Sequence, residues 1–419
     1  MGVFGFLKRQ PGRNRSAIAL DIGTEFVKAL IFIAGEDGIG QVVGVGRQHQ
    51  KLTDMQGGTI TDIAGVMYNC ERALEQAAEQ AGFLPDPVIM GIAGELVKGA
   101  TTSVTVQRSQ PTAKITMPEL QKIIHEVQRR AFDKAREIIA LETGMEHVDV
   151  RLVNAAIVDV TIDGYRVSNP IGFQGKDVKI GVFNAFAPLV HLGAYETVAE
   201  ELKLDLLTVA AEPYAVSRLY GPDTTQDFSA IFIDVGGGTT DIAVVQNGGV
   251  LGTKMFAIGG RAFTKRIAQT MGISFSEAER LKLAYTANKA SKEDIALIEH
   301  ALQSDTAVWL SGVELTLSEF MNVDFLPSRI LLCGGGSNLP ELRQLLRETD
   351  WYKALPFAKR PVVQFIQPSE VTLIKDTTDK LSGPQDITPM ALANLALELV
   401  DTEAPLDSML NKVSASMRQ

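Results

Sequence analysis

Apolar and polar positions along the chain follow two periods, one typical of strands and the other typical of helices. Runs rich in β-branched and apolar residues cover 17–23, 26–34 and 41–46, and a helical period follows through 60–81. From residue 177 the chain resumes strand, helix, strand and helix. This order predicts an α/β fold in which parallel-type sheets are covered by helices.

A separate β/α unit is predicted for residues 86–172, after a proline-rich break. Thr116 and Glu119 have the spacing of a capping box, which predicts the start of a helix there. Residues 259–326 are predicted to be mostly helical, and 330–342 to form a strand, a glycine loop and a helix. The helix opened by the capping box should bury one face, made of Leu120, Ile123, Ile124, Val127 and Ala131.

One supersecondary unit occurs twice in the sequence. Near the start, a buried-type strand delivers Asp21 into a turn that contains Gly23 and Thr24, and a second strand leaves that turn. Residues 231–241 repeat the arrangement around Asp234, with three glycines in the turn. Each copy stands at the start of a half in which strands are followed by helices, so the two copies predict a two-lobed fold. A cleft between lobes is a usual place for a ligand.

The second copy, Asp234-Val-Gly-Gly-Gly-Thr-Thr-Asp241, is the strongest candidate for ligand chemistry. Three glycines let backbone N–H groups converge on phosphate oxygens, and two flanking carboxylates suit a Mg²⁺ ion that keeps most of its waters. The alternative is a glycine-rich hairpin turn with solvated aspartates. For Lys28 the sequence allows two interpretations, a contact to phosphate or a solvated charge at a sheet edge. For residues 334–337 it allows a surface for a nucleoside or a tight connection between strand and helix.

Composition narrows the function classes. The 419 residues include 40 Lys+Arg against 50 Asp+Glu, a net charge of −10, so a dedicated duplex-nucleic-acid binder is not expected. Cys70 and Cys333 cannot build a disulfide framework or a four-ligand zinc site, which suits a reducing cytoplasm. The sequence contains no P-loop, no complete GxGxxG fingerprint, no HExxH motif and no GxSxG elbow.

In their order along the chain, these loops resemble those of the actin-like ATPase superfamily, over about residues 17 to 399. The resemblance implies a two-lobed actin-like α/β fold with an inserted β/α subdomain after the first half-domain. The matching segments are DIGT at 21–24 and DVGGGTTD at 234–241 (the two phosphate loops), LLCGGGSNLPEL at 331–342 (the adenosine loop) and VAAEPYAVSRL at 209–219 (the first connecting helix).

Within this superfamily the chain most resembles the FtsA family of cell-division proteins. The narrower match rests on the position of the extra β/α unit, the Asn-Pro-x-Gly-x-x-Gly strand entry in 169–186, the second phosphate loop and the helix pair in 258–286. Pilus-assembly proteins of the PilM type share the architecture and are the nearest alternative.

The resemblance implies a role for each matching residue. Glu212 would position the water that attacks ATP, although a glutamate that starts a helix also suits the helix dipole. Glu279 and Lys282 would reach ribose and adenine, although without the family context they fit a solvated ion pair. The remaining assignments are Asp21, Asp234 and Asp241 for waters on Mg²⁺, Gly23, Thr24, Gly236, Gly237, Gly238 and Thr239 for the phosphates, and Gly335, Gly336 and Ser337 for the adenosine.

The same resemblance implies a function and a location. The expected protein binds ATP with Mg²⁺, turns it over slowly or not at all, and assembles as a homo-oligomer or filament. It would link an FtsZ-like filament to inner-membrane lipid from the cytoplasmic side. The helical segment 272–329 is short for the FtsA subdomain that contacts FtsZ, which puts that partner in doubt. A PilM-like scaffold and a small-molecule kinase of the same superfamily are the alternatives.

The predicted division of the chain follows from this architecture. It comprises an N-terminal tail (1–16), a first lobe (17–85 and 173–227), an inserted subdomain (86–172), a second lobe (228–271 and 330–399), a helical subdomain (272–329) and a C-terminal tail (400–419).

Both tails are candidates for a membrane contact. The first fifteen residues carry Phe4, Phe6 and Leu7 with four bases and no acid, which is typical either of a frayed basic start or of a peripheral membrane or docking arm. In the C-terminal tail, apolar residues recur at helical spacing but bring two bases, Lys412 and Arg418, and no aromatic residue. We therefore expect the N-terminal arm to contribute more to lipid binding.

Overall fold

The computed structural model of the protein describes residues 15–145, 148–220, 228–320 and 323–401. Its strands lie close to the predicted positions. In chain order they are β1 (Ser16–Ile22), β2 (Phe26–Ala34), β3 (Gly40–His49), β4 (Met55–Gln56), β5 (Thr59–Ile60), β6 (Pro87–Ile92), β7 (Lys98–Gln107), β8 (Val150–Ile162), β9 (Tyr165–Arg166), β10 (Asp177–Pro188), β11 (Asp205–Ala211), β12 (Ala230–Val235), β13 (Thr240–Gln246), β14 (Gly249–Phe256), β15 (Arg329–Cys333), β16 (Val362–Phe365) and β17 (Ile374–Asp376).

The helices alternate with these strands in both halves of the chain. They are α1 (Ile63–Ala81), α2 (Met117–Thr143), α3 (Leu189–Glu201), α4 (Glu212–Ser217), α5 (Gly260–Met271), α6 (Phe275–Thr286), α7 (Lys292–Ser318), α8 (Pro340–Glu348) and α9 (Ile387–Asp401).

Two large sheets organise the described part of the protein. One has the strand order β11-β6-β1-β2-β3-β17, and we call it, with α1, α3, α4 and α9, the first lobe. The other runs β16-β15-β12-β13-β14-β7-β10-β8-β9, and its strands β12 to β16 with α5 to α8 are the second lobe. In each lobe one strand lies antiparallel to the next strand and parallel to a later one, β1 with β2 and β6, and β12 with β13 and β15. The predicted repeat is therefore present in the strand pairing.

The central strand of the second lobe contributes to two cores. Ile231, Ile233 and Val235 are buried in the core of the second lobe, beneath α5, α7 and α8. Phe232 points to the opposite face and joins the core of the first lobe. This alternation follows from the period of two in a strand, and it packs the two lobes against each other through one sheet.

The inserted unit packs α2 on the strands β7, β8 and β10. The residues predicted for the buried face of α2 are all buried. Thr116 is the N-cap of this helix, but its side chain makes no capping hydrogen bond. Glu119 accepts a hydrogen bond from the Thr116 backbone N–H, as a capping box requires, and also forms an ion pair with Arg108 at 2.6 Å. The predicted capping box is therefore present in its Glu119 half and wrong in its Thr116 half.

The strand pairing crosses the predicted limits of the inserted subdomain. β6, predicted to belong to the insert, lies between β1 and β11 in the sheet of the first lobe. β10, predicted to belong to the first lobe, pairs over its length with β7 and β8 of the insert. The physical reason is that a strand joins the sheet that satisfies its backbone groups, whichever side of a sequence break it follows. The division into domains otherwise stays a prediction.

The two segments predicted to contact a membrane lie outside the helices and strands given above. Among the described residues, no helix combines the length and apolarity needed to cross a membrane. The N-terminal arm, residues 1–14, and the C-terminal segment 402–419 lie outside the described residues.

The packing of α1 on β3 generates a stability prediction. A Cβ atom on Gly46 would lie 1.8 Å from the Ala73 carbonyl oxygen of α1, so Gly46→Ala has to push the helix backbone away from the sheet. We expect the free energy of unfolding to fall by about 2–3 kcal/mol, the upper range for overpacking, when measured by chemical denaturation.

Gly193 in α3 is the matched control, because a Cβ there would meet no atom within 4 Å. Gly193→Ala should stabilise the protein by about 0.5–1 kcal/mol, the penalty of glycine inside a helix. Equal effects of the two substitutions would contradict this packing.

Candidate functional site

A cavity of about 390 Å³ lies between the two lobes, where the repeated turns meet. The β1–β2 turn forms one wall and the β12–β13 turn forms the opposite wall. The glycine loop after β15 and the facing sides of α5 and α6 complete it. Of the predicted site residues, all line this cavity except Gly238 and Ser337.

The β1–β2 turn brings a carboxylate and a cation together. The Asp21 side chain is buried and accepts a hydrogen bond from the Lys28 ammonium at 2.9 Å. Gly23 closes the turn, with its N–H donating to the Phe26 carbonyl at 3.1 Å. Burial alone would lower the pKa of Lys28, but attraction and hydrogen bonding to Asp21 outweigh it and raise that pKa. Lys28 is therefore a charged wall residue of the cavity, and the alternative of a solvated edge charge is wrong.

The glycines of the β12–β13 turn have a steric function as well. A Cβ atom on Gly237 would lie 2.8 Å from Glu25 Cβ, and one on Gly238 would lie 3.0 Å from the Thr24 side chain. Real Cβ atoms essentially never come as close as 2.8 Å, so glycine at position 237 is what allows the lobes to approach this closely. At position 238 a Cβ atom would need the Thr24 side chain to shift by a few tenths of an ångström. Gly238 faces the first lobe rather than the cavity, and its predicted phosphate contact stays a prediction.

Each aspartate of this turn has a hydroxyl partner. Thr388 at the start of α9 donates to Asp234 Oδ2 at 2.6 Å, and Thr239 donates to Asp241 Oδ2 at 2.9 Å. Removal from water and repulsion by Asp234 raise the pKa of Asp241 to about 7. Removal from water also raises the pKa of Asp234, against the hydrogen bond from Thr388. The alternative of solvated aspartates is therefore wrong.

Glu212 brings a further carboxylate to the same end of the cavity. It is the first residue of α4, followed by Pro213, and its carboxyl packs on Gly91, where a Cβ atom would lie 2.7 Å from Glu212 Oε1. Burial and the nearby Asp21, Asp241 and Asp234 raise its pKa well above the ordinary value. Glu212 thus occupies both a helix start and a cavity wall.

This group of carboxylates fits a hydrated divalent cation better than a directly ligated one. Within the described part of the chain, no three His, Cys, Asp or Glu side chains are arranged to hold a metal ion directly. Burial is the largest cause of the raised pKa values of Asp241, Asp234 and Glu212, and repulsion between neighbouring carboxylates adds to it. A Mg²⁺ ion held through its waters would relieve that repulsion, because it usually keeps several waters in protein sites.

The far end of the cavity is formed by α6 and by the loop after β15. Lys282 pairs with Glu279 at 2.8 Å and also donates to the Thr264 hydroxyl and the Gly260 carbonyl, at 2.7 and 3.1 Å. Both charged side chains are at most 15% exposed, so the alternative of a solvated ion pair is wrong.

The loop after β15 depends on two close approaches to β12. Gly334 has φ of +82°, and a Cβ atom there would lie 2.0 Å from Asp234 Oδ1. A Cβ on Gly336 would lie 2.7 Å from the Val235 side chain, while Gly335 remains open to the cavity. Ser337 is buried and donates to the Gly334 carbonyl at 2.6 Å, so its hydroxyl shapes the loop. The loop thus serves as a tight connection and as a cavity wall.

Several cavity residues were missed by sequence reasoning. Arg47 pairs with the buried Asp386 at 2.6 Å, and Arg261 pairs with Glu25 at 2.6 Å. Thr388 reaches Asp234 from a position 154 residues later in the chain. None of them follows a local motif, although Arg261 directly follows the glycine pair that opens α5.

The two lobes, the duplicated turns and the cavity between them define the actin-like fold, as predicted. The chain superimposes on a chain of the PilM-PilN type IV pilus biogenesis complex with a TM-score of 0.64 and 17% identity, covering 91% of this chain and 98% of that one.

Comparison with known sequences identifies the group of actin-like proteins that this chain resembles. The family model described as Cell division protein FtsA matches residues 231–390. Cell division protein FtsA of Enterococcus faecalis is 24% identical over 79% of this chain and 76% of its own length. The Bacillus subtilis protein of the same name is 23% identical over 80% of this chain and 77% of its own. The predicted resemblance to FtsA is confirmed.

The raised pKa of Asp241 predicts how stability depends on pH. In the folded protein this carboxyl keeps its proton up to about pH 7, whereas its ordinary pKa is 3.8. The unfolded chain therefore binds fewer protons between these values, and the free energy of unfolding decreases as pH rises through this window. One such proton accounts for at most about 1.4 kcal/mol per pH unit.

Asp241→Asn should flatten this slope between pH 5 and 7 in the ligand-free protein, as measured by denaturant titration at each pH. Asp133→Asn, on the exposed side of α2, is the control and should leave the slope unchanged. A slope that is the same in Asp241→Asn and in the wild type would mean that Asp241 is ionised throughout.

Proposed function

We propose that the protein is an ATP-binding, self-associating actin-like adaptor. The observation that carries this proposal is the interlobe cavity, in which two Asp–glycine turns from a duplicated unit face each other across a group of carboxylates. Similarity to FtsA over about four fifths of the chain supports the assignment of that cavity to ATP with Mg²⁺.

Three groups of cavity residues would contact three parts of the ligand. Asp21, Asp234 and Asp241 would hold the waters of Mg²⁺, which supplies charge neutralisation for the phosphates. Backbone N–H groups of the two turns, residues 23–24 and 236–239, would bind the phosphate oxygens. Glu279 and Lys282 would contact ribose and adenine, and the loop 334–337 would close over them.

Glu212 would position the attacking water in any hydrolysis. Burial and the nearby Asp21, Asp241 and Asp234 raise the pKa of this carboxyl, and the resemblance to FtsA implies that any turnover of ATP is slow. Turnover is therefore slow or absent in our proposal, and ATP acts as a conformational ligand that favours the closed arrangement of the lobes.

The adaptor would act in cell division, where it links a filament to the inner membrane from the cytoplasmic side. This part rests on the two relatives, both named cell division protein FtsA. A PilM-like scaffold of pilus assembly is the second candidate, favoured by the superposition on the PilM-PilN complex over nearly the whole chain. Stoichiometric phosphorylation of an added sugar would contradict both and favour a kinase.

The nucleotide proposal predicts unequal effects of two aspartates. Asp234→Ala should abolish ATP binding, because it removes a carboxylate from the turn that offers more backbone donors and lies beside Asp241. Asp21→Ala should weaken binding less, since the freed Lys28 ammonium remains in the cavity to attract phosphate.

Titration calorimetry with Mg-ATP measures both affinities, and thermal unfolding confirms that each variant is folded. Asp305→Ala, in an ion pair on the surface of the second lobe, is the control. If Asp234→Ala bound ATP with wild-type affinity, the assignment of ATP to this cavity would be wrong.

The adaptor proposal also predicts which end of the chain binds lipid. Flotation with anionic liposomes should fall sharply for a chain that starts at Ser16, because it lacks the two phenylalanines and four bases of the first fifteen residues. A chain that ends at Glu403 should float nearly as well as the full chain. The opposite result would place the tether at the C-terminal end.

A further inference from the structure

The side chain of Arg261 crosses from one lobe to the other at the edge of the cavity. Its Nε donates to Glu25 Oε2 at 2.6 Å, Nη1 donates to the Met55 carbonyl at 3.2 Å, and Nη2 donates to the Lys51 carbonyl at 3.4 Å. All three acceptors belong to the first lobe, whereas Arg261 lies in α5 of the second lobe. The guanidinium therefore spans the junction with three separate hydrogen bonds.

Both ends of this contact are fixed to the turns that face the ligand cavity. The Arg261 N–H donates to the Gly237 carbonyl at 2.8 Å, which ties the start of α5 to the second turn. Glu25 directly follows Thr24 of the first turn, and its other carboxylate oxygen lies 2.6 Å from His49 Nε2. Neither charged partner can move without moving a cavity wall.

Burial sets this ion pair apart from an ordinary surface pair. The side chains of Arg261 and Glu25 are 14% and 15% exposed. A charge pair that is largely shielded from water is less screened by salt, and removing one partner is costly because the other charge stays buried and unpaired. The lobes also touch through Gly237 beside this pair, so opening the cavity requires breaking it.

We propose that Arg261 and Glu25 form an interlobe latch that holds the lobes closed without a ligand and slows the exit of a bound nucleotide. The closure of the ligand-free protein is independent of what the cavity binds. The effect on release rests on the proposed ATP site. Arg261 is a positioning residue in this scheme, since Nε, Nη1 and Nη2 each donate to an acceptor of the first lobe.

The chain provides a matched control on the same helix. Arg266 of α5 pairs with Asp305 of α7 at 2.8 Å, within the second lobe. Arg266→Gln therefore removes an arginine ion pair from α5 without touching the junction between the lobes.

Release is measured by stopped flow, with a fluorescent ATP analogue chased by excess unlabelled Mg-ATP. Arg261→Gln and Glu25→Gln should each release the analogue about tenfold faster, as truncation of one partner of a shielded charge pair acts mainly on dissociation. Arg261→Lys retains the charge but not the forked guanidinium group, and its rate of release should be intermediate. Arg266→Gln should release at the wild-type rate.

The latch also predicts the distance between the lobes in the ligand-free protein. Spin labels on Glu79→Cys in α1 and Glu299→Cys in α7, both exposed positions, report it by pulsed dipolar spectroscopy. The native Cys70 and Cys333 are buried, and burial raises the pKa of both thiols, so they should label slowly. Arg261→Gln should add longer distances that Arg266→Gln lacks.

Wild-type release and an unchanged distance distribution in Arg261→Gln would overturn the latch. Equal acceleration by Arg261→Gln and Arg266→Gln would overturn it as well, because the effect would then come from α5 rather than from the junction. If the wild type binds no nucleotide, the proposed ATP site fails, and the distance measurement alone decides the latch.

Discussion

The burial of four carboxylates, those of Asp21, Asp234, Asp241 and Glu212, around one cavity is the constraint around which the lobes are arranged. Two copies of one strand-turn unit end at the same place, and each delivers an aspartate there. Lys28 pairs directly with Asp21, whereas burial is the largest cause that raises the pKa values of Glu212, Asp234 and Asp241, and repulsion from neighbouring carboxylates adds to it. Crowding of this kind favours a cation beside the carboxylates.

Close approach of the backbone is the second requirement, and it follows from the first. The carboxylates can share one cavity only if the two turns come within contact distance. Gly237 makes this possible, since a Cβ atom there would collide with Glu25, and Gly238 keeps the Thr24 side chain free of a tight contact. The glycine-rich turn is therefore needed for the junction of the lobes as much as for N–H groups aimed at a ligand.

Local signals in the sequence were sufficient for most strands and for the duplicated turns, because each depends on neighbours within one turn of chain. The roles expected of Glu212, Glu279 and Lys282 came from the resemblance to a family instead. Contacts between distant segments could not be predicted in the same way. The partner of Asp234 is Thr388, and the insert takes β10 from the far side of a proline break. At the start of α2, Glu119 adds an ion pair with Arg108, eleven residues earlier, to its hydrogen bond with the Thr116 backbone. Such choices are settled by the competition between tertiary partners, which no window of sequence contains.

A closed ligand-free form changes what a nucleotide can do to this protein. A ligand shifts a conformational equilibrium only by its differential affinity for the two states. If the Arg261–Glu25 pair already populates the closed form, ATP gains apparent affinity, because less of its binding free energy is spent on closing the lobes. The same pair reduces the change in shape that binding can produce. In our proposal, a pre-closed cavity suits holding nucleotide for long periods, as a stable assembly component requires, more than cycling through it as an enzyme does.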